Sequence, residues 1–217
     1  MSELLTRLLA SRWGRWAGIG LVGLLVVGLA WGAWALWSAR YESQGGTAMA
    51  QARIMVAQAQ APTATAESKE RAQRALEEVI AEYPRLSSAA LAAYQLGNIR
   101  FAAAQYPQAR AAYNVAKAKA RSATLGALAS LGTGYTFEAE KNYEAAEKAY
   151  RDTLGGARPQ DFLYEEAMSD VARVQELGGK RTAAVETYQR ILKDLPDARR
   201  ADEIRARLAS LQSEAKP

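Results

Sequence analysis

Four alanines, Ala72, Ala109, Ala146 and Ala184, stand 37, 37 and 38 residues apart, and each sits in the same short frame. The frame reads Tyr106-Ala109-Tyr113, Tyr143-Ala146-Tyr150 and Ala184-Tyr188-Ile191, with Ala72-Leu76-Val79 as a fourth, looser copy. A fixed period of that length is the mark of one supersecondary unit repeated along the chain. A single unit cannot bury its own apolar face, so neighbouring copies cover one another and leave an extended surface open. The pattern therefore points to binding rather than to chemistry.

Composition narrows the fold class to all-α. Hydrophobic residues make up 49% of 217 positions, and much of that share is alanine, the strongest helix former. Valine, isoleucine and threonine are sparse after the N-terminal segment, which removes support for strands. The net charge of +5 comes from 28 basic and 23 acidic residues, spread without a basic stripe, so no nucleic-acid partner is expected. Cysteine and histidine are both absent. That excludes disulfides, thiolate metal sites and a lipid-bearing cysteine, and it removes the commonest general base and metal ligand.

Trp16 to Trp37 is a run of 22 residues without a charge. As a helix it spans about 33 Å, which matches a hydrocarbon core of roughly 30 Å. Trp13 and Trp16 mark one end, and Trp31, Trp34 and Trp37 mark the other, as two aromatic belts would. Arg7, Arg12 and Arg15 precede the run, whereas Arg40 alone follows closely. This asymmetry places the N-terminus in the cytoplasm and the rest of the chain across the membrane. A cleaved signal peptide is the rival reading, with Ala33-Trp34-Ala35 as its small-x-small site. The length of the run and its bulky tryptophans favour an uncleaved anchor. Gly28 and Gly32 form a small-xxx-small pair suited to helix packing, although glycine is common in membrane helices in any case.

The expected organisation is a cytoplasmic stretch 1–15, a membrane helix 16–37, a linker 38–46, a repeat domain 47–196 and a capping helix with tail 197–217. Gln44-Gly45-Gly46-Thr47 is read as a breaker. Helices are expected near 47–60 and 67–83, 87–104 and 107–120, 123–140 and 143–154, 161–177 and 180–194, and 198–213. Asp161 is expected to cap the seventh of these. Ile204, Leu208 and Leu211 share one face of the last, as a terminal cap requires. Within each unit the alanine admits the partner helix. The larger residues fill the groove between units, and Gly97 is the matching small residue.

Leu96-Gly97-Asn98-Ile99, followed by Phe101, Tyr106, Ala109, Tyr113 and Ala116, resembles a tetratricopeptide repeat. The alanine-to-proline spacing of 12 in Ala72…Pro84 and Ala184…Pro196 is similar. Ala93 and Arg100 depart from the family pattern, and the period is longer than usual. The resemblance covers roughly 47–196 and implies an α-solenoid of about four helix pairs plus a cap. A basic N-terminus, one membrane helix and a divergent repeat domain together resemble the ancillary subunit of the bacterial Sec translocon. That resemblance implies a periplasmic interaction domain tethered at the inner membrane and working with chaperones.

In such repeats the first helix of each pair lines the concave face. Leu91, Tyr94, Asn98 and Phe101 fall on one side of the second unit, and Leu131, Tyr135 and Glu138 are comparable in the third. Ser169, Arg173 and Glu176 are their counterparts in the fourth. These are the candidate protein-binding residues, with aromatics as anchors and Asn98 as a hydrogen-bonding group. Packing between helices is the competing role for Tyr94 and Phe101, and the favoured one for Tyr106, Tyr113, Tyr143 and Tyr150. Tyr94 stands where a carboxylate-clamping lysine would be needed, so no such clamp is expected. Glu77-Glu78 and Glu165-Glu166 read as solvated faces, and no catalytic, cofactor or metal-binding residue is expected. The function expected is a membrane-anchored scaffold for other envelope or membrane proteins. The alternative is a structural accessory subunit of a larger inner-membrane complex, held through Gly28 and Gly32.

Overall fold

The computed structural model describes residues 12–213, and all nine elements among them are α-helices. The stretch 1–11 with Arg7, and the last residues 214–217, lie outside the described residues, as do the side chains of Arg12, Trp13, Arg15 and Trp16. The chain divides into two units, Met1–Thr47 and Ala48–Pro217.

The first unit is formed by helix α1 (Arg12–Ala59), whose last turns belong to the second unit. Its stretch Gly23–Ala59 is, by length and composition, apolar enough to cross a membrane. Trp37 stacks on Tyr41 with ring centroids 5.4 Å apart. The expected breaker at 44–47 is helical, and so is the expected linker 38–46. Two glycines cost a helix about 1 kcal/mol each but keep their N–H groups, so the hydrogen-bond ladder passes through them. The Thr47 hydroxyl donates to the Ser43 carbonyl at 2.7 Å, which satisfies it within the helix. The helix ends where Pro62 lies just ahead and cannot continue the ladder.

The second unit is a stack of helices. Met49, Ala52, Val56 and Ala59 share one face of α1 and pack with Leu76 and Val79 of α2 (Ala66–Glu82) and Leu96 and Ile99 of α3 (Ser87–Ala102). Then follow α4 (Tyr106–Lys119), α5 (Ala123–Ala139), α6 (Tyr143–Thr153), α7 (Tyr164–Leu177), α8 (Arg181–Asp194) and α9 (Ala201–Ser213). Each helix packs mainly on its sequence neighbours, so the core runs as a series of linked clusters.

Alanine and glycine set the spacing. Ala72, Ala109, Ala146 and Ala184 are all completely buried. Gly97 of α3 and Gly132 of α5 flank the Tyr113 ring from either side, and a methyl on Gly132 would lie 2.6 Å from it. Gly134 lies equally close under Tyr150. The turn within three of the pairs also repeats. Ala104, Lys141 and Gly179 adopt left-handed φ values of 56°, 59° and 75°. The next amide in each case reaches back to close the helix end: Gln105 N–H to Arg100 O, Asn142 N–H to Phe137 O, and Lys180 N–H to Gln175 O, at 2.7–2.9 Å. Glycine is used at only one of the three.

Helix α7 begins at Tyr164 rather than 161, and Asp161 does not cap it. Its carboxylate instead accepts from the Arg158 N–H at 2.7 Å and closes the turn before the helix. Pro159 and the paired glycines have already committed that segment to a loop. The capping role of α9 is as expected, with Ile204, Leu208 and Leu211 buried against Tyr164, Met168, Tyr188 and Ile191.

Candidate protein-binding face

The first helices of the pairs, α3, α5 and α7, hold the candidate residues. The structure uses many of them internally. Leu91 packs on the α1–α2–α3 cluster, while Tyr94 and Phe101 pack on the cluster around Tyr113. The three are thus shared between two neighbouring core clusters. Tyr94 lies tilted against Tyr113 at 5.9 Å, and Phe101 against Tyr106 at 5.7 Å. Asn98 accepts from the Tyr113 hydroxyl at 2.8 Å, which occupies the carbonyl end of its amide. Leu131 is only 3% exposed among Ala146, Tyr150, Ala167 and Val171. It is a core residue rather than a surface anchor, because side chains of α6 and α7 complete the cluster around it.

Tyr135, Glu138 and Arg173 do meet, in one network that joins the third and fourth units. The Tyr135 hydroxyl lies 3.0 Å from Glu166 and 3.1 Å from Asp170. The Tyr150 hydroxyl donates to Glu138 at 2.7 Å. Arg173 donates to Glu138 with one arm and to Asp170 with the other. Burial pushes the Asp170 carboxyl up, to about 6; the Tyr135 hydrogen bond opposes this, and the Glu166 carboxylate adds to it. Burial, followed by the same two carboxylates, raises the Tyr135 phenol well above its usual value. A buried polar network that links helices mainly fixes one arrangement of them.

Glu166 and Asp170 were not legible as partners of Tyr135, and Glu165 is not a solvated residue. Its carboxylate accepts from the Arg199 and Arg200 N–H groups at 3.3 and 3.1 Å, just ahead of α9. A side chain from another element thus satisfies the backbone amides that lead into α9. Glu77-Glu78 remain exposed, as expected.

Two of the clefts left open are of comparable size. One, of about 480 Å³, lies between the start of α5, the end of α6 and the loop 154–163, beside Phe162, which is 77% exposed. The other, of about 490 Å³, lies between α7 and α9 over Tyr188. The fourth-unit candidates Ser169, Arg173 and Glu176 all line it. Among the described residues no group of acidic side chains is arranged to hold a metal ion.

A stack of α-hairpins with repeated turn geometry and a mixed aromatic and charged face defines an α-solenoid of the kind that serves as a protein–protein interaction scaffold. The chain belongs to the tetratricopeptide repeat-like domain family, which it matches over residues 11–213. Among solved structures it is similar to MamA 41-end from Desulfovibrio magneticus RS-1, at 16% identity and a TM-score of 0.52, covering 78% of this chain and 98% of that one. A MamA RS-1 ArsTM double mutant aligns at the same identity and TM-score over 78% and 97%. At that identity the likeness concerns the fold alone. No curated protein matches the sequence.

Proposed function

We propose that this chain is a membrane-anchored scaffold whose repeat domain stands on the periplasmic side of a bacterial inner membrane and holds other envelope proteins. The observation that carries the reading is the uncovered apolar surface of α1. Leu24, Val27, Leu29, Trp31, Trp34 and Leu36 are each at least 60% exposed. A surface of that extent needs lipid or protein to cover it. The arginines ahead of the segment supply the orientation, and the repeat family supplies the interaction role. A place beside the protein-export translocon, in company with chaperones, is the finer form of this reading and rests on the architectural resemblance.

The alternative, an accessory subunit fixed within a membrane complex, is favoured by one feature. Gly28 and Gly32 are spaced four apart with open surroundings, as Gly20, Gly23 and Gly46 also have, and that spacing would let a neighbouring helix approach closely. Protease treatment of spheroplasts tests the orientation: the repeat domain is expected to be digested, and protection after outer-membrane opening would refute it. Co-purification in mild detergent tests the role. Loss of partners on replacing Gly28 and Gly32 by leucine favours the subunit. Loss on Tyr94→Ala with Phe101→Ala, at an unchanged melting temperature, favours the repeat face. A wild-type chain that co-purifies with nothing removes the scaffold reading.

A further inference from the structure

The repeated tyrosine of the second helices, Tyr113, Tyr150 and Tyr188, places its hydroxyl toward the first helices each time. Tyr113 gives its proton to Asn98 and Tyr150 to Glu138. Tyr188 is 7% exposed, and its hydroxyl has no hydrogen-bond partner among the described residues. It faces the 490 Å³ cleft between α7 and α9. Ser169 lines the same cleft; it is 4% exposed, and its buried hydroxyl has no partner. A buried hydroxyl left unpaired costs about 1–3 kcal/mol. Ser169 is such a group, and the Tyr188 hydroxyl faces the same opening; together they mark a place where an acceptor is missing.

The surrounding charge says which acceptor. Arg173, Arg200 and Arg207 line the cleft, against the carboxylates of Glu176 and Glu203. Arg200 pairs with Glu203, Arg207 with Glu176, and Arg173 with Glu138 and Asp170. Each guanidinium carries five N–H donors, and these pairs leave some of them unused. The three side chains are 38–51% exposed, so their remaining donors are within reach of a ligand. Burial raises the Tyr188 phenol pKa while Arg173 and Arg200 beside it oppose the rise, which places both cations near that hydroxyl.

We propose that the α7–α9 cleft binds an acidic side chain of an extended partner segment, with Ser169 and Tyr188 donating to the carboxylate and Arg173 and Arg200 supplying the charge. The assignment rests on the scaffold reading and gives its partner a chemistry. The partner carries glutamate or aspartate in an unfolded or loop segment and reaches the end of the repeat stack.

The test uses the full chain in mild detergent and two fluorescein-labelled, C-terminally amidated peptides, one alternating glycine with glutamate and one glycine with glutamine. Amidation removes the terminal carboxylate, and the carboxylate of the label is common to both peptides. Fluorescence anisotropy is expected to show binding of the glutamate peptide, weakened by salt, and at least about tenfold weaker binding of the glutamine peptide. Tyr188→Phe and Ser169→Ala each remove one donor and are expected to weaken the glutamate peptide by about tenfold. Ser169→Ala should also leave the melting temperature unchanged or raised, since it removes an unpaired buried group, so its effect on binding is not a folding defect. Arg205 pairs with Asp202 away from the cleft, and Arg205→Gln should bind as the wild type does. Equal binding of the two peptides overturns the assignment, as does wild-type binding by both donor variants, or an equal loss with Arg205→Gln. If the assignment falls while native proteins still co-purify, the scaffold reading stands without it. If nothing co-purifies with the wild-type chain, the two fall together.

Discussion

At the scale of single residues, the spacing between units is set by contacts between glycine and tyrosine. Gly97 and Gly132 admit the Tyr113 ring, which is buried to 2% exposure. Gly97→Ala would improve helix propensity by about 1 kcal/mol, yet its methyl group would overlap the ring, and overpacking of this kind costs about 1–3 kcal/mol. Packing should win, so the variant is expected to melt at a lower temperature, as thermal unfolding followed by circular dichroism would read. Glu147 is a second test. Burial works to raise its pKa, but hydrogen bonds from Lys180, Gln175 and Arg151 outweigh that and hold it at about 2. Because the folded value lies below the usual 4.5, this carboxylate stabilises the fold above pH 4.5 and loses its contribution as pH falls toward 2. Glu147→Gln should therefore lower stability at pH 7 and flatten the stability profile between pH 4.5 and 2, which denaturant melts across that range would measure. These residue roles were only half legible. Gly97 was readable because it falls at a repeat position. Leu131 was mistaken for a surface anchor because helical spacing shows which side a residue takes, but not whether another helix covers that side.

At the scale of elements, helix positions follow from alanine content, the prolines and the repeat period, and the expected helices 67–83 to 198–213 all appear. Two boundaries differ for a local reason. Gly45-Gly46 stays helical because glycine weakens the ladder without interrupting it. Gly46 has open space around it, so Gly46→Ala is expected to stabilise this stretch by about 0.5–1 kcal/mol. Amide exchange near residues 44–47 should slow in that variant; faster exchange would mean that the chain needs the glycine. Asp161 serves the loop because Pro159 and Gly155-Gly156 delay the helix. Glu165 was misread as solvated because its partners, the Arg199 and Arg200 amides, lie 34 and 35 residues away. No local pattern signals a cap supplied by a distant helix.

At the scale of the whole molecule, each repeat is stable only when its open face is covered. The apolar face of α9 closes the cluster of Tyr164, Met168, Tyr188 and Ile191. Ending the chain after Asp194 should expose that cluster, lower the melting temperature by several degrees or more, and increase dye binding or aggregation. A truncated chain that melts like the full one would show that α9 is not a cap. The sequence by itself determined the helical class, the 37-residue period, the small residues at close contacts and the uncharged N-terminal segment, because each is written in near-neighbour spacing. The tertiary structure alone decided which face residues remain available. It tied Tyr135, Glu138 and Arg173 into a network with Glu166 and Asp170, buried Leu131, and left Ser169 and Tyr188 facing an open cleft. Those outcomes depend on side chains that meet across helices from different repeats, and the frequency of residues along the chain carries no record of such meetings.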